Sequence, residues 1–453
     1  MGNIILLLIF EIILFFFAFI FSNRDIIAPS VMMCAMFIIS TVFAVININN
    51  WTIDYSIETF QIIISGIFLF IIAENLTKIF IGKTKFIQRI DSDENPIHYD
   101  DVRIEIPNYF LIGLVILNLL TIAWYYTEIR RITSSLGLTG SIFAAYRRFY
   151  GGLAIASESA DVEMVNTLLS QLLKITKGAG FICLYSLMME IVSSDDGILR
   201  VLWRYQLLMV NVVLSVLPSL MLAGRNDLMQ MIAAVMVYYY IIWHQFNGWD
   251  KNISWKYIKW GFVIILLGIP AFYGMLFLLG RTTTRTMFEY ASIYIGSSIA
   301  LLNDYIANPV EAPRVFGEES LLGVHQILYR LGFPTFVKNR HLEYRKLNSV
   351  MVSNIYTFFR RPLHDFGLAG MYVFTAFVAC FFAYLYYGKI KGYCANPKKH
   401  SLIIIYGYLY FWIIYTSIDQ RSISMISVST LLTFAIIFFE LFFVSHFRFS
   451  IRK

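Results

Sequence analysis

The chain has 453 residues, 58% of them hydrophobic and only 14% charged, with a net charge of +7. Soluble domains carry about 25% charged residues, so this composition excludes a water-facing globular surface of such size, and lipid must be the solvent for much of the chain. No long basic run or basic-aromatic motif points to nucleic acid.

The chain opens with MGNIILLLIFEIILFFFAFIFS, apolar for about twenty residues and so long enough to span. It has no basic n-region and no small-residue cleavage site, and reads as a retained span, not a signal peptide. Further spans are predicted at 27–46, 57–75, 109–126, 178–192, 205–223, 227–243, 260–279, 366–388, 401–417 and 424–446. With 3–22 these make about eleven, an all-α polytopic bundle over a single integral membrane domain, 1–453. Cys34, Cys183 and Cys380 sit in apolar runs and Cys394 in a Lys-rich loop; none forms a CxxC pair, and no disulfide framework is expected.

Orientation follows from the basic residues of the loops. Lys78, Lys83, Lys85 and Arg89 (76–108), Lys251, Lys256 and Lys259 (244–259), Lys389, Lys391, Lys398 and Lys399 (389–400), and Arg448, Arg452 and Lys453 (tail) fall on one side. The loop 47–56, with neither Lys nor Arg, falls on the other. The C-terminus is therefore expected in the cytosol and the N-terminus outside. Two long segments, 127–177 and 280–365, then lie outside. Their bases are mostly Arg, whereas those of the inner loops are mostly Lys. Long loops cross regardless of charge, and Arg grips phosphate through a planar two-toothed contact. An Arg-rich outer face points to an anionic ligand, headgroup contact being the plainer alternative.

Within these segments, 161–176 (DVEMVNTLLSQLLKIT) reads as an amphipathic helix lying on the membrane or capping the bundle. So does 317–331, with Leu321, Leu322, Ile327, Leu328 and Leu331 on one face. The apolar run 288–302 is short and suits a re-entrant or interfacial segment.

Three clusters carry chemistry. Arg281 and Arg285 are four apart, with Glu289 one turn on and Tyr290 beside it. On a helix the two guanidiniums share a face and bracket a diphosphate; snorkelling at a span end is the alternative. Ala223-Gly224-Arg225-Asn226-Asp227 is a tight turn between spans. An Arg at membrane depth is paired or functional, and Asp227 is the nearest candidate partner. The third cluster runs from Asn354-Ile355-Tyr356-Thr357 through Arg360-Arg361 to His364-Asp365-Phe366-Gly367. His364 and Asp365 are placed to take a proton from a sugar hydroxyl; a structural His and a helix-capping Asp are the alternatives. The kinase-like Asp365-Phe366-Gly367 lacks its companion motifs, and Asp91-Ser92-Asp93 lacks a sheet to hold a nucleotide. There is no Walker sequence, no HExxH and no metal-ligand spacing.

These residues resemble the oligosaccharide repeat-unit polymerases of the Wzy type, which build O-antigen and capsule. The likeness lies in Ala223-Gly224-Arg225, in Arg285 to Tyr290, in Phe316-Gly317-Glu318, and in Asn354-Ile355-Tyr356-Thr357 through Asp365-Phe366-Gly367-Leu368-Ala369-Gly370. It covers roughly the C-terminal half. The resemblance implies a GT-C-like bundle with two long, partly helical periplasmic loops in the bacterial inner membrane. It implies an enzyme that moves a growing glycan from undecaprenyl pyrophosphate onto a new lipid-linked repeat unit, with no metal, nucleotide or other cofactor. A chain-length regulator and a flippase are the candidate protein partners.

On that reading Arg225, Arg281, Arg285 and Arg360 hold the pyrophosphate at the lipid–water boundary. Asp365, His364 or Glu318 is the base, and Tyr290, Asn354 and Tyr356 contact the sugars. An O-antigen ligase shares this logic. A lipid-linked oligosaccharide flippase or transporter calls for charge inside the spans, where Glu11 and Glu190 are the main instances.

Overall fold

The computed structural model describes residues 2–88, 102–135, 137, 142–143, 145–146, 165–221, 226–251, 274, 285–333, 342–347 and 351–446. Arg225, Arg281 and nearly all of the span predicted at 260–279 lie outside them. The described chain is mostly helical. Six helices, Gly2–Phe21, Pro29–Ile46, Ile57–Gly82, Asn108–Ser135, Thr167–Ser193 and Arg360–Ile390, are long and apolar enough to cross a membrane. A seventh counts if Ile198–Arg204 and Gln206–Met221, bent by 85°, form one span. The protein is a multi-pass membrane protein. Helices also stand at Asn226–Asn247, His400–Ile414 and Val428–His446, where spans are predicted.

The chain forms two compact units. Unit one comprises Met1–Asp93, Thr284–Lys391 and Trp412–Ser427. Its helices are α1 (Gly2–Phe21), α2 (Pro29–Ile46), α3 (Ile48–Trp51) and α4 (Ile57–Gln88). After the second unit's first segment come α10 (Met287–Ala307), α11 (Leu322–Arg330), α12 (Arg360–Ala383) and the short α14 (Ser422–Met425). Helix α1 buries Ile4, Leu7, Glu11, Leu14 and Ala18, the alternating three-four spacing of one packed helix face. Helix α10 crosses α2 closely. A Cβ on Gly296 would lie 2.8 Å from Phe43 Cβ and 2.9 Å from the Ala44 nitrogen, so this crossing needs glycine. Ser40 Oγ donates to the Ile295 carbonyl (2.7 Å) at the same place.

At one end of unit one, Asn303 of α10 ties down the turn before α4. Its Oδ1 accepts from Ser56 N and Thr59 Oγ1, both at 2.8 Å, and its Nδ2 donates to the Asp54 carbonyl. The predicted outer loop 47–56 and the 280–365 segment thus share an end. At the other, α12 runs into a π-helix, Tyr384–Ile390. Consecutive tyrosines there reach different acids, Tyr386 to Asp25 (2.7 Å) and Tyr387 to Glu74 (2.9 Å), while Lys391 Nζ pairs with Asp25 (2.5 Å).

The 280–365 segment departs from the expectations in three ways. The stretch taken as a short re-entrant or interfacial segment is longer than expected, a 21-residue helix, α10. Helix α11 starts only at Leu322 and buries Leu322, Gly323 and His325, while Leu331 is 68% exposed. A two-stranded antiparallel hairpin, β1 (Arg345–Leu347) with β2 (Met351–Ser353), pairs Lys346 with Val352, a local exception to the all-α expectation.

Unit two comprises Glu94–Thr283, Gly392–Phe411 and Val428–Lys453. It holds α5 (Asn108–Ser135), α6 (Thr167–Ser193), α7 (Ile198–Arg204), α8 (Gln206–Met221), α9 (Asn226–Asn247), most of α13 (His400–Ile414) and α15 (Val428–His446). The predicted surface helix at 161–176 is not separate from the next span: α6 runs unbroken from Thr167 to Ser193. Lys177, the charge that would have ended the span, is held at 2.7 Å by Asp227 of α9, so the helix continues without exposing it. His400 links two distant segments, accepting from or donating to Tyr185 OH at 3.0 Å and bonding the Val102 carbonyl at 2.9 Å. Described pieces of the 127–177 segment, Ile142, Phe143 and Tyr146, pack with Tyr125, Ile129 and Leu169.

Candidate functional site

The third sequence cluster folds into a buried polar site at the Asn303 end of unit one. Its spine is the start of α12. Arg360, its first residue, is fully buried. One guanidinium nitrogen pairs with Glu319 and the other with Glu343 Oε2 (2.7 Å). Its carbon lies 4.4 Å from the ring centre of Tyr305 and 5.2 Å from that of Tyr356. Taking such a cation out of water costs several kcal/mol; two carboxylates and two ring faces offset it.

The hairpin supplies the next layer. Arg345 pairs with Glu343 Oε1 (3.2 Å) and Asp304 Oδ2 (2.8 Å). Tyr356 OH donates to the Glu343 carbonyl at 3.0 Å. Burial alone would raise the Glu343 carboxyl, but the Arg360 guanidinium, with Arg345, holds it below the ordinary carboxylate range. Burial, then the Glu343 charge, pushes the Tyr356 hydroxyl up, so it stays a neutral donor.

His364 stands one turn into α12 and is 8% exposed. Its Nδ1 is 3.2 Å from Tyr305 OH and its Nε2 is 3.8 Å from Glu319 Oε1. With Nδ1–H donating to the tyrosine, Nε2 is left as a base. The Glu319 carboxylate faces that same Nε2 and would stabilise an imidazolium.

Asp365 has a different place. Its carboxylate accepts from the backbone nitrogens of Glu319 (3.1 Å) and Ser320 (2.6 Å). It holds the 318–320 turn and does not cap α12. The rest of Asp365-Phe366-Gly367 serves the same turn. The Phe366 ring lies 4.7 Å from that of Phe316, and Gly367 breaks the helix with φ 67° and ψ −172°, a conformation that glycine adopts freely. Glu318 is buried, with Oε2 accepting from Arg314 N (2.8 Å). Asn354 is half-buried in the connection from β2 to α12.

The other candidates are not brought here. Thr286 caps α10 in a reciprocal box: its Oγ1 accepts from Glu289 N and Glu289 Oε2 accepts from Thr286 N (2.8 Å). Glu289 is thereby a capping residue and Arg285 precedes the helix, so the helical face proposed for Arg285 and Glu289 does not form. Tyr290 is buried beside Tyr294, ring centres 4.8 Å apart. It lies about 22 Å along α10 from Tyr305, at 1.5 Å per residue. Asp227, the partner suggested for Arg225, bonds Lys177.

Sequence reasoning missed Glu319, Glu343, Tyr305, Arg345 and Asp419. Asp419 accepts from Arg361 Nε at 3.2 Å. The one available signal was the Glu318-Glu319 pair followed by Ser320, two acids on a turn that must point different ways. Taken together the cluster holds the acids Asp304, Glu318, Glu319, Glu343, Asp365 and Asp419 and the bases Arg345, Arg360 and Arg361. Each of these three arginines is paired with a carboxylate. Among the described residues, Arg361 Nη1, Thr357 Oγ1 and Gln420 Nε2 are buried with no hydrogen-bond partner.

The start of α12 also borders an apolar groove. Leu363 and Leu368 of α12, Phe10 and Phe17 of α1, and Phe60 and Phe68 of α4 line a groove of about 780 Å³. No group of three or more His, Cys, Asp or Glu residues placed to hold a metal occurs among the described residues. No family model, curated protein or solved structure matches the chain.

Proposed function

We propose that the protein is a membrane glycosyltransferase that polymerises oligosaccharide repeat units carried on undecaprenyl pyrophosphate. One observation carries this reading: a buried polar cluster, with His364 set between Tyr305 and Glu319, stands at the start of α12, the same helix whose Leu363 and Leu368 line an apolar groove with α1 and α4. A buried polar cluster and an apolar groove on one helix suit an amphiphile with a polar, reactive head.

In this mechanism the acceptor hydroxyl gives its proton to His364 Nε2 as its oxygen attacks the anomeric carbon of the donor. The bond from that carbon to the pyrophosphate oxygen breaks, and the electron pair leaves with the lipid pyrophosphate. Glu319 stabilises the imidazolium and Tyr305 fixes the ring. Arg360 is already paired twice, so the leaving-group charge falls to Arg361, whose Nη1 has spare donor capacity among the described residues. Asp365 positions Glu319 through its backbone. The same reading keeps about eleven spans in a GT-C-like bundle, in a bacterial inner membrane, with the site outside and the C-terminus in the cytosol.

The test is chain extension by the reconstituted protein on lipid-linked repeat units, together with gene deletion and gel analysis of the surface polysaccharide. Collapse of a long ladder to a single repeat unit supports the polymerase. Long chains accumulating on the carrier, with none on the lipid core, would identify a ligase instead. A transport reading has its own observation: Glu11, fully buried inside α1, accepts from Thr41 Oγ1 of α2 at 2.9 Å. Uptake of lipid-linked units into vesicles without chain growth would favour it.

A further inference from the structure

We propose that unit two binds the headgroup of an amine-bearing, zwitterionic phospholipid in a pocket at the elbow of α7 and α8. The site is independent of the glycosyl-transfer reading and uses none of its residues.

Helix α7 has seven residues and turns 85° from α8. Only Val201 is buried; Leu199 is 83% and Trp203 77% exposed, and Ile198 joins them. A large apolar and indole surface on a segment perpendicular to a span matches an element lying in the headgroup layer. At the elbow is a pocket of about 220 Å³, lined by Arg103, Glu190, Arg204 and Tyr205. Arg103 Nε pairs with Glu190 at 2.8 Å, and Arg103 Nη2 lies 3.5 Å from Tyr205 OH. Arg204 reaches Asp196 at 2.7 Å, which also takes Arg200 at 2.9 Å.

The charge pattern selects the ligand. Glu190 is taken by Arg103, and Asp196 is shared by Arg200 and Arg204, so a purely anionic headgroup brings its charge against Glu190 in the pocket lining with no cation of its own to offset it. A zwitterion is matched at both ends: phosphate on Arg103, Arg204 and Tyr205 OH, ammonium on Glu190. An ethanolamine ammonium has N–H donors for that carboxylate, whereas a choline has none. The acyl chains would then lie against Leu199 and Trp203, at the depth where α7 meets lipid. Basic pockets at the ends of membrane helices are established headgroup sites; the acid at the base of this one adds discrimination.

The experiment is native mass spectrometry of the full chain in detergent containing equal amounts of phosphatidylethanolamine, phosphatidylcholine and phosphatidylglycerol. The wild type should retain phosphatidylethanolamine preferentially. Arg204→Gln, at a well-exposed side chain, should lower that occupancy about ten-fold, the loss of one charge-assisted hydrogen bond. Glu190→Gln should erase the preference over phosphatidylcholine. Preferential retention of phosphatidylglycerol, or unchanged phosphatidylethanolamine occupancy in an Arg204→Gln protein with wild-type thermal stability, would overturn the proposal.

Discussion

Arg360 and Glu319 form an ion pair in which neither side chain reaches solvent, with 0% and 1% exposure. Each is committed to further partners, Arg360 to Glu343 and to two tyrosine faces, Glu319 through its backbone to Asp365. The pair therefore joins α12, the hairpin and the 318–320 turn.

Removing one partner strands the other. Glu319→Gln or Arg360→Met alone should cost about 3–5 kcal/mol. The double variant Glu319→Gln/Arg360→Met should lose clearly less than the sum of the two, since the Glu343 pairing is lost only once. Thermal unfolding in detergent measures both, and additive losses would show that the two side chains do not depend on each other.

Asp365 and His364 should part company in a pH profile. Asp365→Asn keeps one acceptor for the 319–320 amides and should lower chain extension about ten-fold or less without moving its acid limb. His364→Gln should abolish extension. An Asp365→Asn variant as inactive as His364→Gln at equal protein level would return the base to Asp365.

Glu343 gives the pH dependence of stability a sign. Its folded carboxyl is held below the ordinary range by Arg360. The contribution of this pairing is full above the unfolded carboxylate pKa, near 4.3, and is lost as pH falls through the lower folded value. Wild-type stability should be flat from neutral pH to mild acid with respect to this group, then fall. In Glu343→Gln that acid-side fall should shrink, read as melting temperature against pH.

Gly367→Ala isolates a backbone effect. A Cβ there meets nothing within 4 Å, so any loss comes from the positive φ, about 1–3 kcal/mol. Gly296→Ala should act by sterics instead, prising α10 from α2. Equal tolerance at both positions, measured by melting temperature, would contradict both accounts.

A reporter fused after Lys399 should be cytosolic and one inserted near Lys338 external. The reverse assignment would invert the sidedness of every residue discussed.

The spans were readable because an apolar run of membrane length has few other uses; α1, α2 and α12 lie within a few residues of where hydropathy puts them. Polar sites are harder, because their pairings join residues far apart in sequence. Arg360 was visible as a candidate for holding pyrophosphate, but its partner is 41 residues away in a turn and was overshadowed by Glu318 next door. Asp365 drew attention as a titratable group above the bilayer, and only the fold shows its oxygens facing two backbone nitrogens. Glu289 looked like the third member of an arginine face, yet a threonine three residues earlier made it a cap. The continuous α6 was hidden for a similar reason: its Lys177 breaks the hydropathy trace, and Asp227, which neutralises it, lies on another helix.

Helix α12 is fastened at both ends: Arg360 and Asp365 anchor it to the acidic turn, and at its foot Tyr386 and Lys391 fasten the π-helix to Asp25. Both ends of the helix are therefore fixed, and the non-helical Gly367 between the upper anchor and the span is where it can bend. A bilayer that is too thin or too thick must deform around it. Lipid thickness then becomes a mechanical load on the acidic turn, delivered through the same helix that carries His364.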